Sequence, residues 1–251
     1  MTTTDPTSNA AYPWNVFDAE AYFQHYYGEP HPDDEQVIRC AVAALREALP
    51  RGALLDILDV GTGPNLIPAF CALPRARTLT AWDYAPTNVA WLHAELARSD
   101  LRPQWRHFWE VARASWGPTA NLADNPLPQL RASMHIQQGS IFDLPSRAFD
   151  AATMFFCAES ITARRDEFDA ALAAFARAVR SGGLAAAAFL VRSAGYEVAG
   201  QPFPVLALTA DDIETAFARH VTLPCFQRIG IIDRQIRSGY AGFVFATGHV
   251  L

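Results

Sequence analysis

Two glycines spaced by one residue, Gly61 and Gly63 in LDVGTGPNL, close an apolar run with the length of a short strand. In an open α/β sheet, ligands bind outside the carboxyl ends of the strands, and a Gly-x-Gly at the first such end lets backbone turn sharply beside a ligand. Asp83, in TAWDYAPTN, stands twenty residues beyond Gly63 at the end of the next strand-like run. An acid there accepts hydrogen bonds from both hydroxyls of a ribose and repels a 2′-phosphate. Its alternative role is to cap the helix that Pro86 opens. A dinucleotide turn requires a third glycine where this chain has Leu66, and a phosphate-cradling P-loop requires a lysine that GTGPN lacks. Gly-x-Gly with Asp83 therefore points to a nucleoside bearing an amino-acid tail rather than a phosphate.

A third run, HIQQGSIFDLP, reads as a strand ending at Gly139 and a turn before Leu144-Pro145. Backbone amides near Ser140 and Ile141 in such a turn can read an adenine edge, with Ile141 and Phe142 clamping its faces; a plain crossover loop is the alternative. Upstream, AYFQHYYG carries Tyr22, Tyr26 and Tyr27 on one helical segment, where residues four apart share a face. Aromatic faces attract a cationic centre by about 0.5–2 kcal/mol, so this cluster suits chemistry in which positive charge moves. Packing of a terminal helix is the competing reading. His25 reads as solvated or structural, and Cys157, after an apolar strand, as packing rather than as a nucleophile. Tyr196 and Glu197 sit in a loop suited to contacting a substrate, and Arg192 beside them is able to pair a carboxylate.

The elements that must position these residues follow from periodicity. FDAEAYFQHYYG reads as a short helix capped by Asp18 and ended by Gly28 and Pro30. Asp33 or Asp34 opens a second helix through EQVIRCAVAALREAL, in which Val37, Cys40, Ala41, Ala44, Leu45 and Leu49 recur at helical spacing. Strands LLDILDV, RTLTAWD, MHIQQG, DAATMFF and GLAAAAFLV then alternate with helices over 64–73, 86–98 and 167–179. That alternation implies a parallel sheet with right-handed crossovers. A helix over 211–219 and the strands LPCFQRIGII and YAGFVFATG, expected to be antiparallel from their closeness in sequence, complete the chain. The organisation expected is a disordered 1–16 and a single domain over 17–251, with a helical cap at 17–50 and an insertion at 99–133. The insertion holds Trp105, Trp109 and Trp116 and predicts a helix over 105–114 laid across the carboxyl ends of the strands, as a surface elaboration or as part of a lid.

Composition narrows the classes. In 251 residues, 51% are hydrophobic and 18% charged, and the formal net charge is −6, so no basic field for a nucleic-acid backbone is present. Cys40, Cys71, Cys157 and Cys225 are scattered, with no metal-ligand spacing and no disulfide framework, which predicts no metal site and a reducing compartment. MTTTDPTSNAAYPW lacks a basic and an apolar targeting region, and no run of eighteen apolar residues follows. A cytoplasmic protein with no membrane or nucleic-acid partner is expected.

Taken in order, the acidic strand, Gly-x-Gly, Asp83, GSIFDLP and SGGLAAAAF resemble a class I S-adenosylmethionine-dependent methyltransferase over roughly residues 54–190. AYFQHYYG, DVGTGP, WDYAPTN, the long insertion, FFCAES and GYEVAGQPFPVL narrow the resemblance to the nicotinamide, phenylethanolamine and indolethylamine N-methyltransferases, over about 17–246. The resemblance implies an α/β, Rossmann-like sheet of order 3-2-1-4-5-7-6 and S-adenosyl-L-methionine as cofactor. Gly61, Thr62 and Gly63 would pass its methionine and ribose portions, Asp83 would hold the ribose, Tyr84 and Asn88 would line the nucleoside, and Ser140, Ile141 and Phe155 would complete the site. Tyr27 would face the methionine carboxylate and Tyr22 both cofactor and acceptor, as the catalytic lid residue; Phe156, Phe189 and Tyr196 would line the acceptor.

Two departures accompany it. Ser140 replaces the acid expected beside the adenine-reading amide, and FFCAES and AAFLVRS lack the acceptor-binding acids of the amine enzymes, with Glu159 the remaining acid nearby. The expected activity is methyl transfer to nitrogen of a small aromatic or amine metabolite in specialised metabolism, by a monomer or homodimer. Alternatives are release of methylthioadenosine by intramolecular cyclisation, O-methylation, or ligand binding without turnover.

Overall fold

The computed structural model describes residues 7–47 and 52–251. Five of the strands are β1 (Leu55–Val60), β2 (Ala76–Asp83), β3 (Met134–Gln138), β4 (Phe149–Phe155) and β5 (Val179–Leu190). A small hairpin, β6 (Tyr196–Val198) and β7 (Gln201–Phe203), precedes β8 (Val221–Ile229) and β9 (Phe243–Val250). The seven-stranded sheet runs β3-β2-β1-β4-β5-β9-β8, the expected order once the hairpin is counted apart. β1 to β5 pair in parallel, and β9 inserts antiparallel between β5 and β8.

Both faces of the sheet are covered, so its central strands are apolar almost throughout. One layer packs α1 (Ala19–Tyr27), α2 (Pro32–Glu47), α3 (Ile67–Ala72), α4 (Pro86–Leu96), α5 (Pro103–Trp116) and α6 (Leu127–Ser133) over Leu55, Ile57, Ala186 and Ala188. The other packs α7 (Arg165–Ala178) and α8 (Ala210–Ala218) over Leu58, Met154, Ala185 and Ala187. The alanine run of β5, a poor strand former by propensity, is held extended by this double burial.

Local chemistry adjusts several boundaries. Asp18 caps α1 by accepting the Ala21 N–H at 2.9 Å, and Gly28 follows the helix as expected. α2 opens at Pro32, ahead of Asp33 and Asp34, and His31 Nδ1 accepts the Asp33 N–H at 3.2 Å. α3 begins three residues later than Pro64 because Asn65 Oδ1 accepts the Ile67 N–H at 2.8 Å and so keeps Pro64 and Asn65 in the turn.

Two expectations change. The insertion does contain its helix, but α5 does not cross the carboxyl ends of the strands: Trp105 meets Phe23 at 5.1 Å, Trp109 meets Phe70 at 5.6 Å, and Trp116 Nε1 donates to the Cys71 carbonyl at 3.1 Å. Its buried face is core, and none of the residues 99–133 lines the cleft described below. The described part of the stretch expected to be disordered is folded. Asn9–Ala11 and Trp14–Val16 are 3₁₀ turns, tied down where the Ser8 hydroxyl and Asn9 N–H donate to Glu167 at 2.7 and 2.8 Å. Residues 1–6, and 48–51 with Leu49 of the second predicted helix, lie outside the described residues.

Candidate active site

A cleft opens at the carboxyl ends of the strands, lined by the first Gly-x-Gly turn, the ends of β2 and β4, α1 and the N-terminal turns. Its floor is the turn after β1. Gly61 and Gly63 adopt φ of 65° and 61°, a region that glycine enters freely. A Cβ on Gly61 would collide with the Cys157 side chain, whereas one on Gly63 would meet open space apart from the Gly61 carbonyl at 3.9 Å. The turn is thus packed on one side and bare toward the cleft.

Asp83 anchors the same turn. Its Oδ2 accepts the Gly63 N–H at 2.7 Å, and its Oδ1 accepts the Ala85 N–H at 2.8 Å and Asn88 Nδ2 at 3.0 Å. A carboxylate offers about four acceptor directions, so roughly one remains for a ligand hydroxyl. Burial pushes the Asp83 carboxyl up, and the three donors oppose that rise. Beside it Asn88 Oδ1 is buried without a partner, an acceptor that a ligand donor would complete. Tyr84, about half exposed, lines the rim. Thr62 is buried and its hydroxyl donates to the Asp59 carbonyl at 3.3 Å.

At the far end, Trp82 lies so close to Gly139 that any Cβ there would strike its ring. Ser140 and Ile141 line the cleft; the Ser140 hydroxyl is occupied in accepting the Phe142 N–H at 3.2 Å. Phe142, expected to clamp a base, instead packs into the α7 layer outside the lining.

The roof comes from segments distant in sequence. Trp14 and Phe17 each meet Phe203 of β7 at 5.0 Å, and Tyr196 stacks on Phe203 at 5.6 Å. The β6–β7 hairpin turns at Ala199 and Gly200, both at positive φ, the geometry that matches strand twist. Below it, Tyr22 packs on Phe17 at 5.4 Å and on Tyr26 at 4.5 Å, while Tyr27 packs on Trp105 at 5.4 Å. Both Tyr22 and Tyr27 line the cleft. Burial pushes the Tyr22 phenol up to about 12 against the pull of Arg237, so near neutral pH it is an uncharged hydrogen-bonding ring.

Phe155 and Phe156 end β4 at the cleft; Phe156 adopts φ of 56°, a conformation uncommon outside glycine that concentrates at functional sites. Phe189 is corrected: strand side chains alternate, and it falls with Ala185 and Ala187 on the α7–α8 face, 6.1 Å from Phe168 and 6.3 Å from Phe217. Its neighbour Leu190 lines a small side cavity instead. Arg192 and Glu197 are exposed and outside the lining. Asn9, Trp14, Phe17, Ser160 and Arg237 are lining residues that sequence reasoning missed; the aromatic spacing of YPWNVF was a usable signal for two of them, but Arg237 sits in an aperiodic stretch.

Buried acids flank the site. Asp59 Oδ1 accepts the Thr153 hydroxyl at 2.7 Å while its Oδ2 has no partner, and burial pushes this carboxyl up to about 7. Glu159 Oε1 accepts the Leu190 N–H at 2.9 Å, its Oε2 is likewise unpartnered, and burial lifts it to about 7. The folded chain therefore holds protons that the unfolded chain has released between about pH 4 and 7. Stability contributed by these groups is full below that window and is lost as pH rises through it. The melting temperature is expected to fall from pH 5 to pH 8, and Asp59→Asn to flatten the fall; a flat wild-type profile would contradict the assignment.

A model of the NNMT/PNMT/TEMT family matches residues 7–224. No curated protein matches at the level of sequence. Among similar solved structures is a Burkholderia thailandensis 1,6-didemethyltoxoflavin-N1-methyltransferase with bound 1,6-didemethyltoxoflavin and S-adenosylhomocysteine, 18% identical, with 92% of this chain and 86% of that one covered and a TM-score of 0.52. A DhpI–SAM–HEP complex is 14% identical, covers 93% and 92%, and has a TM-score of 0.55. The [4+2]-cyclase SpnF is 14% identical, covers 84% and 81%, and has a TM-score of 0.51. At such identities these likenesses speak to the fold, a Rossmann-like methyltransferase sheet. The family match spans nearly the whole chain and takes in the turn, Asp83 and the tyrosine helix: the chain belongs to the NNMT/PNMT/TEMT family.

Proposed function

We propose that this enzyme transfers a methyl group from S-adenosyl-L-methionine to nitrogen of a small-molecule acceptor. The observation that carries the reading is the floor of the cleft: a bare Gly63, an Asp83 with an acceptor direction left, and the unpartnered Asn88 Oδ1 fit a ribose, and no lysine or arginine of the turn serves a phosphate. Gly61, Thr62, Gly63, Asp83, Tyr84, Asn88, Ser140, Ile141, Phe155 and Tyr27 are assigned to the cofactor. Tyr22, Phe156 and Tyr196 are assigned to the acceptor side.

The cofactor supplies a methyl group on a sulfonium, moved by in-line displacement. This chain contributes alignment, and holding reacting groups near contact is able to supply about 7–11 kcal/mol of a barrier. Tyr22 is assigned the role of a wall, an aromatic face favourable to positive charge by about 0.5–2 kcal/mol. Trp14, Phe17 and Phe203 exclude water above it. Among the described residues no histidine lines the cleft, and the phenol of Tyr22 stays protonated, which favours an acceptor that attacks without prior deprotonation. An uncharged amine or ring nitrogen does so; an aliphatic hydroxyl does not.

Product chromatography tests the reading. Incubation with S-adenosylmethionine and small nitrogen acceptors is expected to give S-adenosylhomocysteine and a methylated product in equal amounts. Methylthioadenosine formed without any acceptor would overturn it in favour of cyclisation, and exclusive methylation of hydroxyls would overturn the choice of nitrogen.

A further inference from the structure

Arg237 is the cation of the acceptor side. It lies between β8 and β9, 8% exposed, on the wall shared by the main cleft and the side cavity. Its guanidinium stands 4.2 Å from the Tyr196 ring centre and 5.1 Å from that of Tyr26, so aromatic faces take up its surfaces. Nη1 donates to Ser160 Oγ at 3.1 Å and Nη2 to the Tyr22 hydroxyl at 3.4 Å, both neutral oxygens, and Nε–H has no acceptor. A guanidinium does not lose its proton in a protein, and it makes no ion pair among the described residues. A buried charge left without a counter-ion is costly, which makes the missing anion informative.

The acids nearby do not fill that place. Neither makes a hydrogen bond or ion pair with Arg237: Glu159 gives one oxygen to the Leu190 N–H, and burial raises it to about 7 against the pull of Arg237; Asp34, on the side-cavity wall, is raised to about 8 by burial and by Asp33. Near neutral pH both are largely or partly uncharged, so an ammonium acceptor would meet Arg237 as a like charge. Phe156 and Leu190 line the space after the fourth and fifth strands where the family resemblance implies amine-binding acids, and a guanidinium faces the same space.

Building on the methyl-transfer reading, we infer that the acceptor carries a carboxylate, seated on the planar guanidinium of Arg237 with its nitrogen turned toward the cofactor past Tyr22. The aromatic and apolar walls around it, Tyr22, Tyr26, Phe156 and Leu190, suit the faces of a ring that enters from the main cleft. The substrate class is therefore an aromatic or heteroaromatic carboxylate bearing a weakly basic amino or ring nitrogen, anionic overall. Arg237 is its specificity-determining residue.

The test titrates protein saturated with S-adenosylhomocysteine with the aminobenzoates and pyridine carboxylates, each beside its carboxamide and its aminomethyl analogue. At least one carboxylate is expected to bind about tenfold or more tighter than both partners, a difference of ~1.4 kcal/mol. Arg237→Lys, which keeps the charge but not the fork, is expected to lose about tenfold of that affinity while the carboxamide is unaffected. Equal or tighter binding of the amide or cationic analogue, or no carboxylate binding at all, overturns the inference. A carboxylate affinity unchanged in Arg237→Lys also overturns the assignment to that side chain. Failure of S-adenosylhomocysteine to bind is a separate result, and it strikes the methyl-transfer reading instead.

Discussion

Asp83→Ala is expected to weaken S-adenosylhomocysteine binding by about 10- to 100-fold. A hydrogen bond to a charged group contributes roughly 1.5–3 kcal/mol, and each ~1.4 kcal/mol is a factor of ten in affinity. The loss does not stop at the ligand. The same carboxylate holds the Gly63 N–H, the Ala85 N–H and Asn88, so its removal frees the turn that faces the cofactor and the residue that lines the nucleoside. Asp83→Asn is expected to fall between wild type and Asp83→Ala, because an amide keeps one oxygen for these donors and turns an N–H₂ on the others. Calorimetry on all three proteins checks the order, and undiminished binding by Asp83→Ala would remove the ribose from this place.

Gly61→Ala is expected to damage the fold as well as the site. The new methyl needs φ near 65°, which costs an L-residue about 1–2 kcal/mol, and it runs into Cys157, an overpacking that costs about 1–3 kcal/mol. For a chain of this size the sum corresponds to a drop in melting temperature on the order of 10 °C. Cys157→Gly in the same protein removes the collision and leaves the dihedral cost, so the double variant is expected to recover part of the loss. A Gly61→Ala protein that melts with the wild type would show that the turn is looser than its contacts imply.

These two residues were legible in the sequence because their chemistry is local. A positive φ demands glycine, a strand end demands an acid to collect turn amides, and both constraints leave the same residue types at the same spacing. The parallel sheet was legible because alternating strands and helices admit few connections, whereas its strand order followed from the family resemblance. Phe189 was not legible. β5 is apolar on both faces, so its sequence shows no alternation from which to tell the cleft side from the α7 side. Arg237 was hidden by distance: it reaches Tyr22 across 215 residues of chain, through the folding of β8 and β9 onto β5. The tryptophans of the insertion announced a helix but not its destination, because a buried aromatic face fits a neighbouring helix as well as a lid. The roof instead comes from Trp14, Phe17 and a three-residue strand pair, too short for any periodic signal.

A cleft with a bare Gly63, Asp83 and no basic residue in its turn is expected to accept a nucleoside with an amino-acid tail and to refuse phosphates, and direct binding to the wild-type protein tests this. S-adenosylhomocysteine is expected to bind saturably, one molecule per chain, and not to be displaced by NAD⁺ or ATP. No binding of S-adenosylhomocysteine, or its displacement by either phosphate-bearing nucleotide, would contradict the account.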